Sequence, residues 1–192
     1  MSAAAKGGFI HPSVSIGGEG LIQIPASTII EAGSVIAVQA GASLLLGERN
    51  TIYPNCTFRL GQGTLRTGLD VSFGPGVVIY EPRADISIGD HCLIAAGVMM
   101  CGAGHQFTAL DLPIRQQPMW AAPIAIEDDV WLGMGAILLP GVQIGRGAVI
   151  GAGSVVTQSI PAAVVAYGSP CKPRRYRDGS PLSGACPTGD TP

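Results

Sequence analysis

Large aliphatic residues recur at every sixth position through the second half of the chain: Ile126, Leu132, Leu138, Ile144, Ile150 and Val156. Four positions after each stand Val130, Ala136, Val142, Ala148, Ser154 and Ile160, mostly small or β-branched. Glycine directly follows the aliphatic at Gly133, Gly145 and Gly151. A period of six matches neither the 3.6 of a helix nor the alternation of a single strand. A short fixed repeat marks a solenoid, whose units bury their apolar side only by stacking on one another. A hexad has no room for a helix and its connections. It suits a short strand and a corner, with one large side chain inward and a small one at the turn. Glycine beside the aliphatic fits a corner where φ is positive or backbones approach closely. Three hexads then make a triangular coil of about 18 residues, stacked at roughly the 4.8 Å strand spacing. A β-sandwich core would not hold the frame at six.

The spacing reaches back to the start of the chain. Ile10 and Ile16 form a first pair, with Val14 and Gly20 at the small position. After a shift of two come Ile24, Ile30 and Ile36, with Thr28, Ser34 and Ala40. After a short insertion, Leu46, Ile52 and Phe58 continue, with Asn50 and Cys56. The stretch from Gly61 to Gly76 is less regular, although Phe73 and Ile79 can be placed. Ile88, Ile94 and Met100 resume the frame, with Cys92, Val98 and Gly104.

No linker or composition shift divides the repeat. The pattern therefore predicts one all-β solenoid domain over residues 10–176, a flexible lead-in over 1–9 and a disordered tail over 177–192, rich in Gly, Ser, Pro and Thr. One long interruption, 106–123, follows His105 and holds Pro113, Pro118, Met119, Trp120 and Pro123. A solenoid puts extra residues out as loops on one face, often the working one. Beyond Pro161 the repeat stops, and a last strand with a short helical turn is expected to cap the open end.

Composition agrees. Hydrophobic residues make up 47% and charged residues 12%, enough to fill a core. Aromatics at 5% suit a narrow prism filled by Ile, Val, Leu and Ala. The 28 glycines and 15 prolines suit many corners and few helices. A formal charge of −2 supplies no basic surface for nucleic acid. No run of about 18 apolar residues calls for a membrane span. Met1 to Gly8 lacks the apolar segment of a signal peptide. The cysteines are Cys56, Cys92, Cys101, Cys171 and Cys186. An odd count without motif spacing points to a reducing compartment, hence a cytoplasmic protein, and to no disulfide framework or zinc site. Cys56 and Cys92 fall on small inward positions and read as core.

Three histidines offer chemistry: His11, His91 and His105. His11 is early in the repeat and His91 is outward-facing; both read as solvated surface. A lone loop histidine is more often structural than catalytic, but His105 sits at a broken corner beside the long loop. Its setting is Gly104-His105, the loop, then Pro123-Ile124-x-Ile126-x-Asp128-x-Val130-Trp131-Leu132-Gly133. This resembles the galactoside, maltose and polysaccharide O-acetyltransferase branch of the hexapeptide-repeat acyltransferases, and more loosely the xenobiotic acetyltransferases. The aliphatic-Gly-x-x-small-x repeat resembles the same family. The resemblance implies a left-handed parallel β-helix, an exception to the usual right-handed crossover. It also implies that His105 is the general base.

The chemistry that role requires is simple. An alcohol is a poor nucleophile at neutral pH, and a neutral imidazole, titrating in general at roughly 6.5, removes its proton as it attacks a thioester. The tetrahedral oxyanion needs a donor, most simply a backbone N–H. No Cys or Ser stands in a motif for a covalent acyl-enzyme, so direct transfer in a ternary complex is expected. The group orienting the imidazole stays open between a backbone carbonyl and an Asp or Glu.

By resemblance the donor is acetyl-CoA. Met134 stands where the family often has Ser in the pantetheine groove, and Ala152 lies in the run Gly151-Ala152-Gly153-Ser154, where backbone approaches the ligand. Thr157 and Gln158 stand where Thr-Lys is common, and Gln158 loses that charge. Lys172 and Arg175 match basic positions near the nucleotide phosphates. With Arg174 and Arg177 they make a cluster suited to phosphate, or a solvated basic tail. Trp131 flanks the cofactor groove or fills a space between subunits. No metal is implied.

The family's sugar enzymes hold their acceptor with polar residues about two coils before the histidine. The matching positions here are Pro75 and Arg83 instead of Asn and Asp. Glu81, Arg83, Asp111 and Arg115 are the polar candidates. The sugar enzymes also carry a helical segment before the prism, whereas here the repeat begins almost at once. Both departures point to an acceptor other than a free galactoside: a nucleotide-sugar, a lipid-linked glycan, a polysaccharide or a natural-product hydroxyl. In the family three prisms assemble with each site between two of them, so a homotrimer is expected.

Three other readings compete. N-acylation of an amino sugar is the nearest. A γ-type carbonic anhydrase needs three histidines on a shared metal, two closely spaced in one chain, but His91 and His105 are 14 positions apart and no His-x4-His exists. A non-catalytic scaffold would not need Gly104-His105, the loop and the basic cluster.

Overall fold

A computed structural model gives the structure and describes residues 7–182. Three parallel sheets of nine, seven and six strands form the faces of a triangular column, about seven turns high. The fold is a left-handed parallel β-helix. The first face runs from Phe9–Ile10 through Trp131–Leu132 and Val149–Ile150 to Val164–Tyr167. The second runs from Ser15–Gly18 to Val155–Val156, and the third from Leu21–Gln23 to Gln143–Ile144.

The hexad frame becomes a register. Ile30, Ile52, Phe73, Ile94, Leu132 and Ile150 stack through the first face, and Ile36, Phe58, Ile79, Met100, Leu138 and Val156 through the second. All are buried. The Phe58 and Phe73 rings meet edge to face with centroids 5.0 Å apart, a favoured aromatic geometry. Ile10 and Ile16, predicted inward, are 46% and 38% exposed because no described coil lies beneath them.

Steps from the first face to the second, such as Ile52 to Phe58, keep to six residues, and so do steps from the third to the first, such as Ile126 to Leu132. All variation falls at the corner between the second and third faces. There the inward residues run from Ile36 to Leu46, Phe58 to Thr67, Ile79 to Ile88 and Met100 to Ile126. The shift by two, the irregular 61–76 and the long loop are thus one feature, a corner of variable length. The frame at 61–76 is obscured because polar Thr67 takes an aliphatic position. It is buried, and its Oγ1 donates to Asn50 Oδ1 at 2.8 Å. Asn50 Nδ2 in turn donates to the carbonyls of Gly47, Glu48 and Gly68 at 2.9, 3.1 and 2.9 Å. Buried polar groups are tolerable when satisfied in this way.

At the closed end, Lys172–Tyr176 folds back antiparallel on Val164–Tyr167. This second strand replaces the expected helical turn; among the described residues the only helical element is the 3-10 turn Ile114–Gln116. Most of the expected lead-in and tail lies outside the described residues. Within 7–9, Gly8 and Phe9 donate to Ala26 and Thr28 carbonyls. Arg177 donates through its backbone to Ala163 O.

Candidate active site

The chain leaves the column after Met100 and rejoins it at Ile124. The excursion opens as a two-stranded antiparallel ribbon, Ala103–His105 against Met119–Ala121. Gln106 N donates to Pro118 O at 2.9 Å and Ala122 N to Gly102 O at 3.2 Å. These bonds flank the register pair His105–Met119, which is therefore a non-hydrogen-bonded pair whose side chains stand close on one side of the ribbon. Gly104 faces Trp120 on the other side. A Cβ at Gly104 would lie 2.9 Å from Trp120 Nε1, so glycine lets the indole cross the strand.

Beyond the ribbon the loop is tied by Gln117, whose side chain is buried. Its Oε1 accepts from Ala109 N at 3.1 Å, and its Nε2 donates to the carbonyls of Ala109 and Leu112 at 2.8 and 3.0 Å. The apolar tip is uncovered: Phe107, Leu112 and Ile114 are exposed and Leu110 is 98% exposed. Asp111 and Arg115 share this tip. His105 is exposed, and its ring has no hydrogen-bond partner among the described residues.

The predicted site residues divide among the edges of the prism. Glu81 and Arg83 stand at the variable corner, one coil below the ribbon; a Cβ at Gly102 would be 3.3 Å from Pro82 Cβ. Thr157 and Gln158 occupy the same corner above it. Met134 and Ala152 lie on the first-to-second corner, where Gly153 N donates to Met134 O at 2.8 Å. Gly133 and Gly153 make this corner possible: a Cβ on Gly133 would meet Ala152 N at 2.6 Å, and Gly153 has φ +67°. Lys172, in register with Tyr167, sits at the top of that corner, and the Arg174 guanidinium lies 5.1 Å over the Tyr167 ring.

Trp131 and Arg175 come together on the first face, in a groove of about 530 Å³ shared with His91, Leu93, Asp129 and Arg177. Arg177 Nη1 lies 2.6 Å from Asp129 Oδ2, so it is engaged by a carboxylate. His91 Nδ1 is 3.2 Å from Asp70 Oδ2, away from the ribbon. Among the described residues no three His, Cys, Asp or Glu side chains converge as metal ligands. The thiols of Cys56, Cys92 and Cys171 are held protonated mainly by burial. That of Cys92 is pushed up to about 11, with Asp128, Asp129 and Asp90 adding to the effect. None of the three suits a nucleophile.

Residues 123–158 match the bacterial transferase hexapeptide (six repeats) profile. The hexad repeat of this stretch is thus one shared with the hexapeptide transferases. A galactoside O-acetyltransferase of Lactococcus lactis is 40% identical over 113 residues, covering 56% of this chain and 54% of that protein. A hexapeptide-repeat acetyltransferase of Vibrio cholerae, solved with acetyl coenzyme A, is 28% identical, covers 84% of this chain and 71% of that one, and superposes with a TM-score of 0.51. AntD, an N-acyltransferase of Bacillus cereus solved with dTDP and 3-hydroxybutyryl-CoA, shares the fold at a TM-score of 0.66, with 18% identity and 84% of each chain covered. The chain spans about half the length of the curated relatives it matches. Among the described residues no helix is long and apolar enough to cross a membrane.

Two features of the site had no assignment from sequence. Met119 was visible only as part of a proline-rich interruption, and its pairing with His105 needs the ribbon. Gln117 gives no local signal at all; its bonds bridge residues that only the folded loop brings together.

Proposed function

We propose that this protein is an acyltransferase that moves the acetyl group of acetyl-CoA to a hydroxyl of a sugar or glycan, with His105 as general base. The observation that carries the reading is an exposed imidazole, with no hydrogen-bond partner among the described residues, displayed on a ribbon at the corner where the repeat lengthens. The acceptor O–H gives its proton to the imidazole as its oxygen bonds the thioester carbonyl carbon. The C–S bond then breaks, and the thiolate of CoA takes that proton back from the imidazolium.

The family's donor groove corresponds to the corner of Met134 and Ala152, with Lys172 and Arg174 at its phosphate end. Trp131, Thr157, Gln158 and Arg175 are the remaining proposed donor contacts, and Glu81, Arg83 and Asp111 the acceptor contacts. Ala152 and Thr157 mark the two ends of one face, roughly 16 Å apart at the strand rise. A neighbouring column that sets its donor corner against the ribbon would close the site. The uncovered apolar tip at Leu110 supports such a neighbour. We therefore propose a homotrimer with sites between subunits, in the reducing cytoplasm to which the free thiols are suited.

The test is His105→Ala, assayed by CoA thiol release with hydroxyl and amino-sugar acceptors side by side. Transfer should fall by about 10²- to 10⁴-fold, with CoA binding by calorimetry and sedimentation mass unchanged. Undiminished turnover removes His105 from the mechanism, and transfer confined to amines makes the protein an N-acetyltransferase.

A further inference from the structure

Below the ribbon, the variable corner carries Gln39 and Gln62, which the proposed transfer does not use, together with the proposed acceptor contacts Glu81 and Arg83. Gln39, Gln62, Glu81 and Arg83 line one pocket of about 90 Å³ there. They come from successive coils: Gln39 N donates to Leu60 O at 2.9 Å, and Gln62 N to Pro82 O at 3.1 Å. Glu81 is fixed by Arg59, whose Nε lies 2.8 Å from its Oε1. The Glu81 backbone adopts φ 39°, a conformation that costs a residue with a side chain. Beside it Tyr80 is 50% exposed on the outer side of the second face, in register with Arg59. The side chains of Gln39, Gln62 and Arg83 have no hydrogen-bond partner among the described residues.

An exposed aromatic next in the chain to a carboxylate, at the edge of a corner that also carries free amides and a guanidinium, is suited to carbohydrate. The ring covers the C–H face of a sugar, and the polar groups exchange hydrogen bonds with its hydroxyls. Stacking of the coils repeats these contacts about every 4.8 Å along the column. Building on the acetyltransferase reading, we infer that this corner is a subsite for sugar units adjoining the one acetylated. The acceptor is then a glycan chain laid along the column from Gln39 past Gln62 and Arg83 toward His105, and not a single sugar.

The experiment is binding of the full chain to an array of defined glycans, from single sugars to hexasaccharides, with the His105→Ala, Tyr80→Ala and Gln62→Ala variants in parallel. At least one series should bind about tenfold better as a trisaccharide than as its monosaccharide. That gain should persist in His105→Ala and vanish in Tyr80→Ala and Gln62→Ala. Equal binding of single sugars and chains, a gain untouched by both substitutions, or no glycan bound at all overturns the subsite. Acetyl transfer by the unaltered chain to a small hydroxyl acceptor is scored separately. Transfer with a silent array sinks the subsite alone, and a positive array without transfer sinks the enzyme alone.

Discussion

His105 and Met119 are directly opposed across the ribbon, in the class of antiparallel pair that brings side chains closest. The register places Met119 directly across from His105, the general base of the proposed transfer. Met119→Ala should lower kcat/KM about tenfold, a loss of roughly 1.4 kcal/mol of transition-state stabilisation. Met119→Leu should retain most of it. Steady-state kinetics on both variants decide the matter, and equal values for Ala and Met would deny the pair a role.

Gln117 closes the loop through three hydrogen bonds, two of them to Ala109. Its replacement by alanine leaves those backbone groups without their partner, at about 1–3 kcal/mol for each buried group orphaned. The loss is local, because the loop stands outside the column. Limited proteolysis should cut faster between residues 106 and 118, and turnover should drop, while the thermal midpoint stays close to that of the unaltered chain.

Asn50 shows the opposite case. It is fully buried and ties two coils together through Gly47, Glu48, Gly68 and Thr67. Asn50→Ala should cost at least ~2 kcal/mol of global stability, read as a lower urea midpoint at an unchanged m-value. An unchanged midpoint would mean that water replaces the amide without penalty.

Cys92 supplies a pH signature. Burial raises its thiol from 9.0 to about 11 in the folded chain, so between those values the folded state keeps a proton that the unfolded state releases. Its contribution to stability is complete below about pH 9 and is lost as pH rises toward 11. Urea midpoints measured at pH 8 and again above pH 10 should fall further for the unaltered chain than for Cys92→Ala. Parallel slopes would show that the thiol ionises with equal ease in both states.

Much of the fold is legible in the sequence. Ile126 through Val156 read as inward positions because a six-residue turn lets only one large side chain per strand reach the axis. The same logic hid Thr67, a polar residue on an aliphatic position, since its partner Asn50 lies on the coil below and no local pattern announces the bond. His105 stood out through its break in the frame. Met119 did not, because a run of prolines carries no register until two strands pair.

The repeat alone determined that the chain winds into a stacked column with an apolar axis, since a hexad has no other way to bury its aliphatic side. Only the tertiary structure decided which edge collects every extra residue. It also decided that His105 with Glu81 and Arg83 shares one edge, while Met134 and Ala152 lie on another and Trp131 with Arg175 on a face between edges. Position around a triangle depends on the summed lengths of all preceding turns, a non-local quantity that no single motif encodes.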